Sequence, residues 1–156
     1  MSFFSSMDIS SSGLTAQRLR MDIISQNIAN ADTTRTEEGT PYRRKAVQFE
    51  EKQKSFSDVL NNKMKSMIGN SGDDTAGEDV GAGVRVSKIV EDQSAFKKIY
   101  DPGNPDADAE GYVNMPNVNV IEEMVNMISA SRTYEANVTA MNTSKSMALK
   151  ALEIGR

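Results

Sequence analysis

The chain of 156 residues is long enough for one domain, or for one small domain with an extended part. Its net charge is only −4 and its Lys and Arg residues are scattered, which argues against a nucleic-acid partner. It has no cysteine and no histidine, which excludes disulfides, thiol nucleophiles, the common zinc sites and histidine-based acid–base catalysis, so we expect no enzyme, metal, cofactor or small-molecule substrate.

The N-terminal segment MSFFSSMDIS lacks the basic start and the apolar run of a secretory signal. No window of the sequence approaches eighteen consecutive apolar residues, so no integral membrane segment is expected. The protein is therefore expected to stay in the cytoplasm or to leave it without a cleaved signal peptide. Phe3 and Met7 form an apolar pair in this segment, for which packing beside the first helical turn is one role.

Residues 5–30 predict the first long helix. Ser5 and Asp8 are spaced as a capping box, and a run rich in helix-forming residues follows. On a helical projection its apolar residues form two stripes, Ile9, Ala16, Leu19 and Ile23 on one and Leu14, Met21, Ile24 and Ile28 on the other. A single helix sunk in a core is the simpler interpretation, but Arg18, Arg20 and Asp22 would be costly to bury unpaired. We therefore expect this helix to contact more than one neighbour.

The next part of the chain predicts a change to β-structure. Turn-forming residues follow the first helix, and Val47 and Phe49 at strand spacing predict a short strand over residues 42–51. Residues 55–68 return to helical spacing and predict a short helix.

Two further strands are predicted after a loop. The Gly- and Asp-rich stretch 69–83 predicts a flexible loop. Val84 and Val86 alternate with polar residues and predict a second strand. Residues 96–100 predict a third strand, closed by a turn at 101–103.

Three charged motifs have structural rather than chemical interpretations. Asp106, Asp108 and Glu110 occupy the first, third and fifth positions of a calcium loop with glycine sixth, but the twelfth position is asparagine where glutamate is needed. A solvated acidic turn is the better interpretation. The run Arg43-Arg44-Lys45 is interpreted as a solvated strand edge, and Glu122-Glu123 as favourable charge in the first turn of a helix.

Residues 118–154 contain no proline or glycine and predict the longest helix of the chain. Asn119, with Glu122 three residues on, resembles a capping box at its start, and Gly155 provides the stop. At about 1.5 Å per residue the helix would be roughly 50 Å long. Because this exceeds a compact domain of this size, we expect part of the helix to need a partner.

Apolar residues along this helix form a nearly continuous seam, broken only by Ser131 and Lys145. Steps alternating between four and three residues, as in a coiled coil, select Val120, Met124, Met127, Tyr134, Val138, Met141, Ala148 and Leu152. Such a seam is typical of a helix that packs against another helix.

These elements predict a mainly α fold with a small β-containing insertion. The terminal segments 1–34 and 115–156 are expected to pair as an antiparallel coiled coil and to form one domain. Residues 35–114 would then form a β-hairpin-like middle region, with the short helix 55–68 and the flexible loop 69–83, at one end of the pair.

Three stretches resemble the family of bacterial flagellar rod and hook proteins. They are SGLTAQRLRMDIISQNIANADTTRT, PYRRKAVQFEE, and YDPGNPDADAEGYVNMPNV with the following helix EEMVNMISASRTYEANVTAMNTSKSMALKALEIGR. The first is typical of the whole family. The PYRRK segment, the DPGNPDAD loop, the RTYEANVTAMN run and the short chain resemble its proximal-rod members, whereas residues 52–83 match least well.

This resemblance implies a structural subunit of the flagellar basal-body rod, without catalysis, whose paired terminal helices line the inner tube of a helical assembly. It implies other rod proteins, further copies of the chain and the flagellar type III export apparatus as partners. Phe3 and Met7 resemble the Phe-x-x-x-apolar element of early export substrates and are the candidate export signal. A cytoplasmic coiled-coil adaptor or export chaperone, and a calcium-binding regulatory module, are the alternatives.

The apolar positions of both terminal helices form the candidate assembly interface, because contacts between subunits that do not close on themselves generate helical filaments. On the first helix these positions are Leu14, Leu19, Met21, Ile23, Ile24 and Ile28. On the second they are Val120, Met124, Met127, Tyr134, Val138, Met141, Ala148 and Leu152.

Overall fold

The computed structural model describes residues 3–52, 57, 60, 64 and 83–154. Within these residues the long elements follow in the order α1 Phe3–Ala29, β1 Lys45–Glu51, β2 Val84–Glu91, β3 Lys97–Tyr100, β4 Tyr112–Met115 and α2 Val120–Ile154. β1 pairs with β2 and β3 with β4, each as an antiparallel two-stranded sheet. The predicted fold class, mainly α with a small β-containing insertion, is confirmed.

α2 begins at the predicted N-cap residue. The side-chain oxygen of Asn119 accepts a hydrogen bond from the backbone N–H of Ile121 at 3.2 Å, and its carbonyl accepts one from the N–H of Glu123 at 2.9 Å. An N-cap side chain satisfies one of the backbone donors that the first turn of a helix leaves without an intrahelical partner. At the other junction α1 ends at Ala29, and Asn30 donates from its side chain to the carbonyl of Gln26 at 2.9 Å.

The two long helices pack against each other in opposite directions. A Cβ atom added to Gly13 would lie 3.1 Å from the side chain of Asn137, whereas Asn27 is hydrogen-bonded to Glu123. Fourteen residues forward along α1 therefore correspond to fourteen residues backward along α2. The same spacing places Arg20 opposite Ala130, midway between the two observed contacts. Ala130 is 0% exposed, as expected for the centre of a helix pair.

α2 is the longer helix, with 35 residues against 27 in α1. At the register set by Gly13 and Asn137, the last turns of α2 extend beyond the N-terminal end of α1. Large apolar side chains near this end are exposed, with Met147 at 61% and Leu152 at 73%. The sequence-based expectation that one molecule cannot cover both helices agrees with this exposure.

The β1–β2 sheet lies against α1 and is joined to it by hydrogen bonds. Its register shifts at a bulge between Gln48 and Phe49. At the far end the backbone N–H of Lys52 donates to the carbonyl of Gly83 at 2.9 Å. The N–H of Val84 donates to the hydroxyl of Ser12 at 3.1 Å, which fixes the start of β2 on α1.

The strands predicted over 42–51, from Val84 and over 96–100 are all present, with β1 starting later than predicted, at Lys45. The strand β4 was not predicted. It has only four residues and pairs only with β3, so its alternation was too short to separate from the turn before it. Most of the predicted helix 55–68 and loop 69–83 lies outside the described residues.

The acidic motif between β3 and β4 forms turns. The side chain of Asp108 accepts hydrogen bonds from the N–H groups of Glu110 and Tyr112 at 3.0 and 2.9 Å. Asp106 instead accepts from the hydroxyl of Thr34 at 2.8 Å. Asp108 therefore stabilises the turn locally, as expected for an acidic turn, whereas Asp106 joins it to the segment that follows α1.

The burial of Ala130 between the helices generates a stability prediction. Ala130→Leu should lower the free energy of unfolding by about 1–3 kcal/mol, because the added atoms force the helices apart. The matched change Ala140→Leu, at an exposed position of the same helix, should alter it by less than about 0.5 kcal/mol. Urea denaturation followed by circular dichroism measures both. Equal stabilities of the two variants would show that the helices do not meet at Ala130.

Candidate assembly surface

Glu123, near the start of α2, is a buried carboxylate that is fully paired. Its side chain is 1% exposed. One oxygen, Oε1, contacts Nε and Nη2 of Arg44, each at 2.8 Å, and the other, Oε2, accepts from Nδ2 of Asn27 at 2.9 Å. A charge taken out of water costs several kcal/mol unless a partner and hydrogen bonds compensate it, and both are present here.

Asn27, in the last turn of α1, joins this carboxylate to the start of β1. Its amide oxygen accepts hydrogen bonds from the backbone N–H of Lys45 and from the hydroxyl of Tyr42, both at 2.9 Å. Its Nδ2 also donates to the carbonyl of Lys45 at 2.8 Å. Asn27 therefore binds both backbone polar groups of Lys45, as a neighbouring strand would. These hydrogen bonds explain how the polar side chain of Asn27 can be only 1% exposed.

Asn117 attaches the segment before α2 to both strands of the first sheet. Its side-chain oxygen accepts from the N–H of Arg44 at 2.9 Å, and its Nδ2 donates to the carbonyl of Asp92 at 3.1 Å. The N–H of Asp92 in turn donates to the carbonyl of Arg44 at 2.8 Å. We refer to the side chains of Asn27, Tyr42, Arg44, Asn117 and Glu123 as the Glu123 cluster.

Electrostatic interactions at the cluster favour a neutral Tyr42, and those beside it favour a charged Asp92. Burial raises the pKa of Tyr42, and the negative charges of Glu91 and Glu123 raise it further. The pKa of Asp92 is lowered, first by hydrogen bonds from the backbone and side chain of Ser94 and then by the charge of Arg44. Tyr42 therefore remains a hydrogen-bond donor to Asn27, and Asp92 remains an anion 3.8 Å from Arg44.

One interpretation from the sequence is wrong here. Arg44 was assigned to a solvated strand edge, but its side chain is only 25% exposed and pairs with Glu123. Glu122 and Glu123 both lie in the first turn of α2, as predicted, but the burial of Glu123 and its pairing with Arg44 were not foreseen. The sequence does contain a signal for the burial of Glu123. Glu123 precedes Met127 and Ala130 on one helical stripe, where a charge requires a partner.

The opposite side of the same turns of α2 is apolar and exposed. Four large side chains at helical spacing are between 48% and 74% exposed, namely Ile121, Met124, Val125 and Ile128. We refer to these four residues as the α2 outer face. Contiguous apolar groups of this kind on a protein surface mark sites of interaction with other proteins.

The structure divides the predicted assembly positions into covered and exposed ones. On α1, Ile23 and Ile24 are buried at 5%, while Leu14, Leu19, Met21 and Ile28 are half-buried, as is Met7. On α2, Met127, Tyr134, Val138, Met141 and Ala148 are half-buried, whereas Val120, Met124 and Leu152 are exposed. Ile121, Val125 and Ile128 were missed, because alternating steps of four and three follow only one stripe. The side chain of Phe3 lies outside the described residues.

The described residues contain neither a candidate metal site nor a candidate membrane-spanning helix. No group of three Asp or Glu side chains in them converges as a metal site would require. None of the described helices is long and apolar enough to cross a membrane.

Comparison with known proteins gives the same family at both ends of the chain. Residues 7–35 match the profile described as "Flagella basal body rod protein", and residues 109–154 match "Flagellar basal body rod FlgEFG protein C-terminal". The flagellar basal-body rod protein FlgC of Bacillus subtilis is 53% identical over 160 residues, with all of both chains covered. The protein of the same name from Borreliella burgdorferi is 49% identical over 99% of this chain and 98% of its own, and that of Salmonella typhimurium 42% over all of both.

The pairing of Glu123 generates a second prediction. Arg44→Ala should lower the free energy of unfolding by about 3–5 kcal/mol, because it leaves a buried carboxylate without its cation. Arg85→Ala removes an exposed ion pair with Glu50 and should cost less than about 1 kcal/mol. Thermal unfolding at neutral pH compares the two variants, and similar losses in both would show that Glu123 does not depend on Arg44.

Proposed function

The chain belongs to the family of flagellar basal-body rod proteins, and from this premise we propose how its surfaces are used in assembly. It is a structural subunit of the bacterial flagellar basal-body rod. We propose that it packs with other rod proteins and further copies of itself into a helical tube, the proximal part of the rod, through its terminal helices. The α2 outer face is the observation on which this proposal rests.

The outer face supports the proposal because it is apolar and the described residues leave it uncovered. Ile121 is 74% exposed and Val125 62%, and together with Ile128 they follow one another at spacings of four and three residues. Such spacing is the pattern by which one helix lies against another. The exposed end of α2 around Leu152 is a second surface of the same kind.

The two apolar surfaces lie at opposite ends of one helix, about 30 residues apart, or roughly 45 Å along the axis. A contact that joins unlike surfaces of successive subunits builds a helical array when its rotation does not close into a ring. This arrangement suits a tube built from many subunits. The chain acts by packing and not by catalysis, and its similarity to rod proteins supports a rod subunit over an adaptor or export chaperone.

The outer face gives a prediction about assembly. Ile121→Asp combined with Val125→Asp should leave the helical content and thermal stability of the purified chain nearly unchanged, because both side chains are exposed. The same change should abolish swimming and remove the chain from isolated basal bodies, because two charges would enter an apolar contact. Motility in soft agar and immunoblots of basal bodies measure these effects.

The control is Ala136→Asp with Ala140→Asp, two exposed positions four residues apart on the same helix. Cells with this control should swim. Normal swimming and normal incorporation of the Ile121→Asp, Val125→Asp chain would remove the outer face from the assembly interface.

We also propose that the N-terminal pair Phe3 and Met7 is the docking element for the export apparatus, used without a cleaved signal peptide. Phe3→Ala with Met7→Ala should then lower secretion at least about tenfold while cellular levels stay constant, because an apolar anchor of roughly 1.5–3 kcal/mol per side chain is lost. Ser11→Ala with Thr15→Ala, at the same spacing on the exposed side of α1, is the control. Immunoblots of culture medium and cells measure the ratio, and undiminished secretion of the Phe3→Ala, Met7→Ala chain would exclude this role.

A further inference from the structure

The line along which α1 and α2 meet contains one buried charge. Glu123 and Asn137 of α2 face Asn27 and Gly13 of α1. Ala130, midway between them, is then opposite Arg20 in the same register. Ala130 and Glu123 are 0% and 1% exposed. In paired helices a polar residue at such a position lowers stability but restricts which helix can be the partner.

The rest of the α2 seam would also suit a second α2 helix. Between Met127 and Met141 the seam is apolar and half-buried except at Ser131, and Ala130 beside it allows close approach. An apolar seam of this kind can also pack against an identical helix. Glu123 is the exception, because in an α2–α2 pair its carboxylate would be buried without a cation.

The compensating groups come only with α1 and the segment that follows it. Asn27 occupies the last turn of α1, and Arg44 is held seventeen residues later by its backbone bonds to Asn117 and Asp92. Glu123 therefore has both of its carboxylate oxygens satisfied when α2 lies on α1 in the observed register.

We propose that Glu123 is a specificity-determining residue, which directs α2 to pair with α1 and disfavours pairing of α2 with the α2 helix of another copy. Removal of a buried ion pair in favour of apolar side chains often leaves stability unchanged or raises it, whereas selectivity between partners can be lost. The value of this selectivity for assembly rests on the proposed function. Two subunits joined through their α2 helices would lack the α1–α2 pair with which each subunit enters the rod.

The test uses the natural absence of cysteine in this chain. Ala130→Cys places a single thiol in the centre of the seam, where α1 covers it. It is introduced into three full-length backgrounds: the native chain, the chain with Arg44→Met and Glu123→Leu, and the chain with Glu135→Leu. The last is the control, because it makes the Glu→Leu change at an exposed position of α2. Mild oxidation followed by non-reducing electrophoresis then measures disulfide-linked dimers.

We expect the Arg44→Met, Glu123→Leu chain to form at least about tenfold more dimer than the other two, with undiminished thermal stability. Glu123→Gln, which removes the charge and keeps the shape, should show a smaller rise. Tyr42→Phe is the control for destabilisation, because it removes a hydrogen bond to Asn27 but leaves the charge pair, and it should not raise dimer formation.

A folded Arg44→Met, Glu123→Leu chain with no more dimer than the native background would overturn the proposal. Loss of helical circular dichroism in that chain would overturn it too, since the ion pair would then be required for folding and not for selection. These measurements use the purified chain, so a negative result would not contradict the proposed role as a rod subunit. Conversely, normal motility of the outer-face variants would not contradict the selection of α1 by Glu123.

Discussion

The arrangement of α1, α2 and the first sheet depends on compensation of the buried carboxylate of Glu123. A buried charge must be compensated, and the groups that compensate it come from the end of α1 and the start of β1, 96 and 79 residues away in sequence. Asn117 extends the same network to the end of β2. The helix pair and the first sheet are therefore joined at one polar point, while the apolar contact between the helices holds the rest of their length together.

This arrangement gives one short stretch of α2 two different roles. Glu123 points into the chain and fixes α2 against α1, whereas Ile121 and Val125, on the other side of the same turns, remain exposed. A rigid attachment on one side orients the apolar groups on the other, which is useful for a subunit whose activity consists of packing.

The sequence predicted the two long helices, the fold class and three strands because each depends on local periodicity. The strand β4 escaped because four residues, Tyr112 to Met115, are too few to establish a period. The Arg44–Glu123 pair escaped because charge patterns along the chain do not show which residues meet across 79 positions. The outer face was missed for a different reason, since alternating steps of four and three trace one stripe of a helix and Ile121 lies on another. Long-range polar contacts are thus the part of the structure that periodicity cannot predict.

The most direct measurement is a cryo-electron microscopy reconstruction of the assembled rod in which the side chains of this chain are resolved. The account predicts that Ile121 and Val125 are buried against a neighbouring subunit, while Glu123 keeps its contacts with Arg44 and Asn27. A rod in which the outer face remains in solvent, or in which Glu123 has separated from Arg44 on assembly, would contradict it.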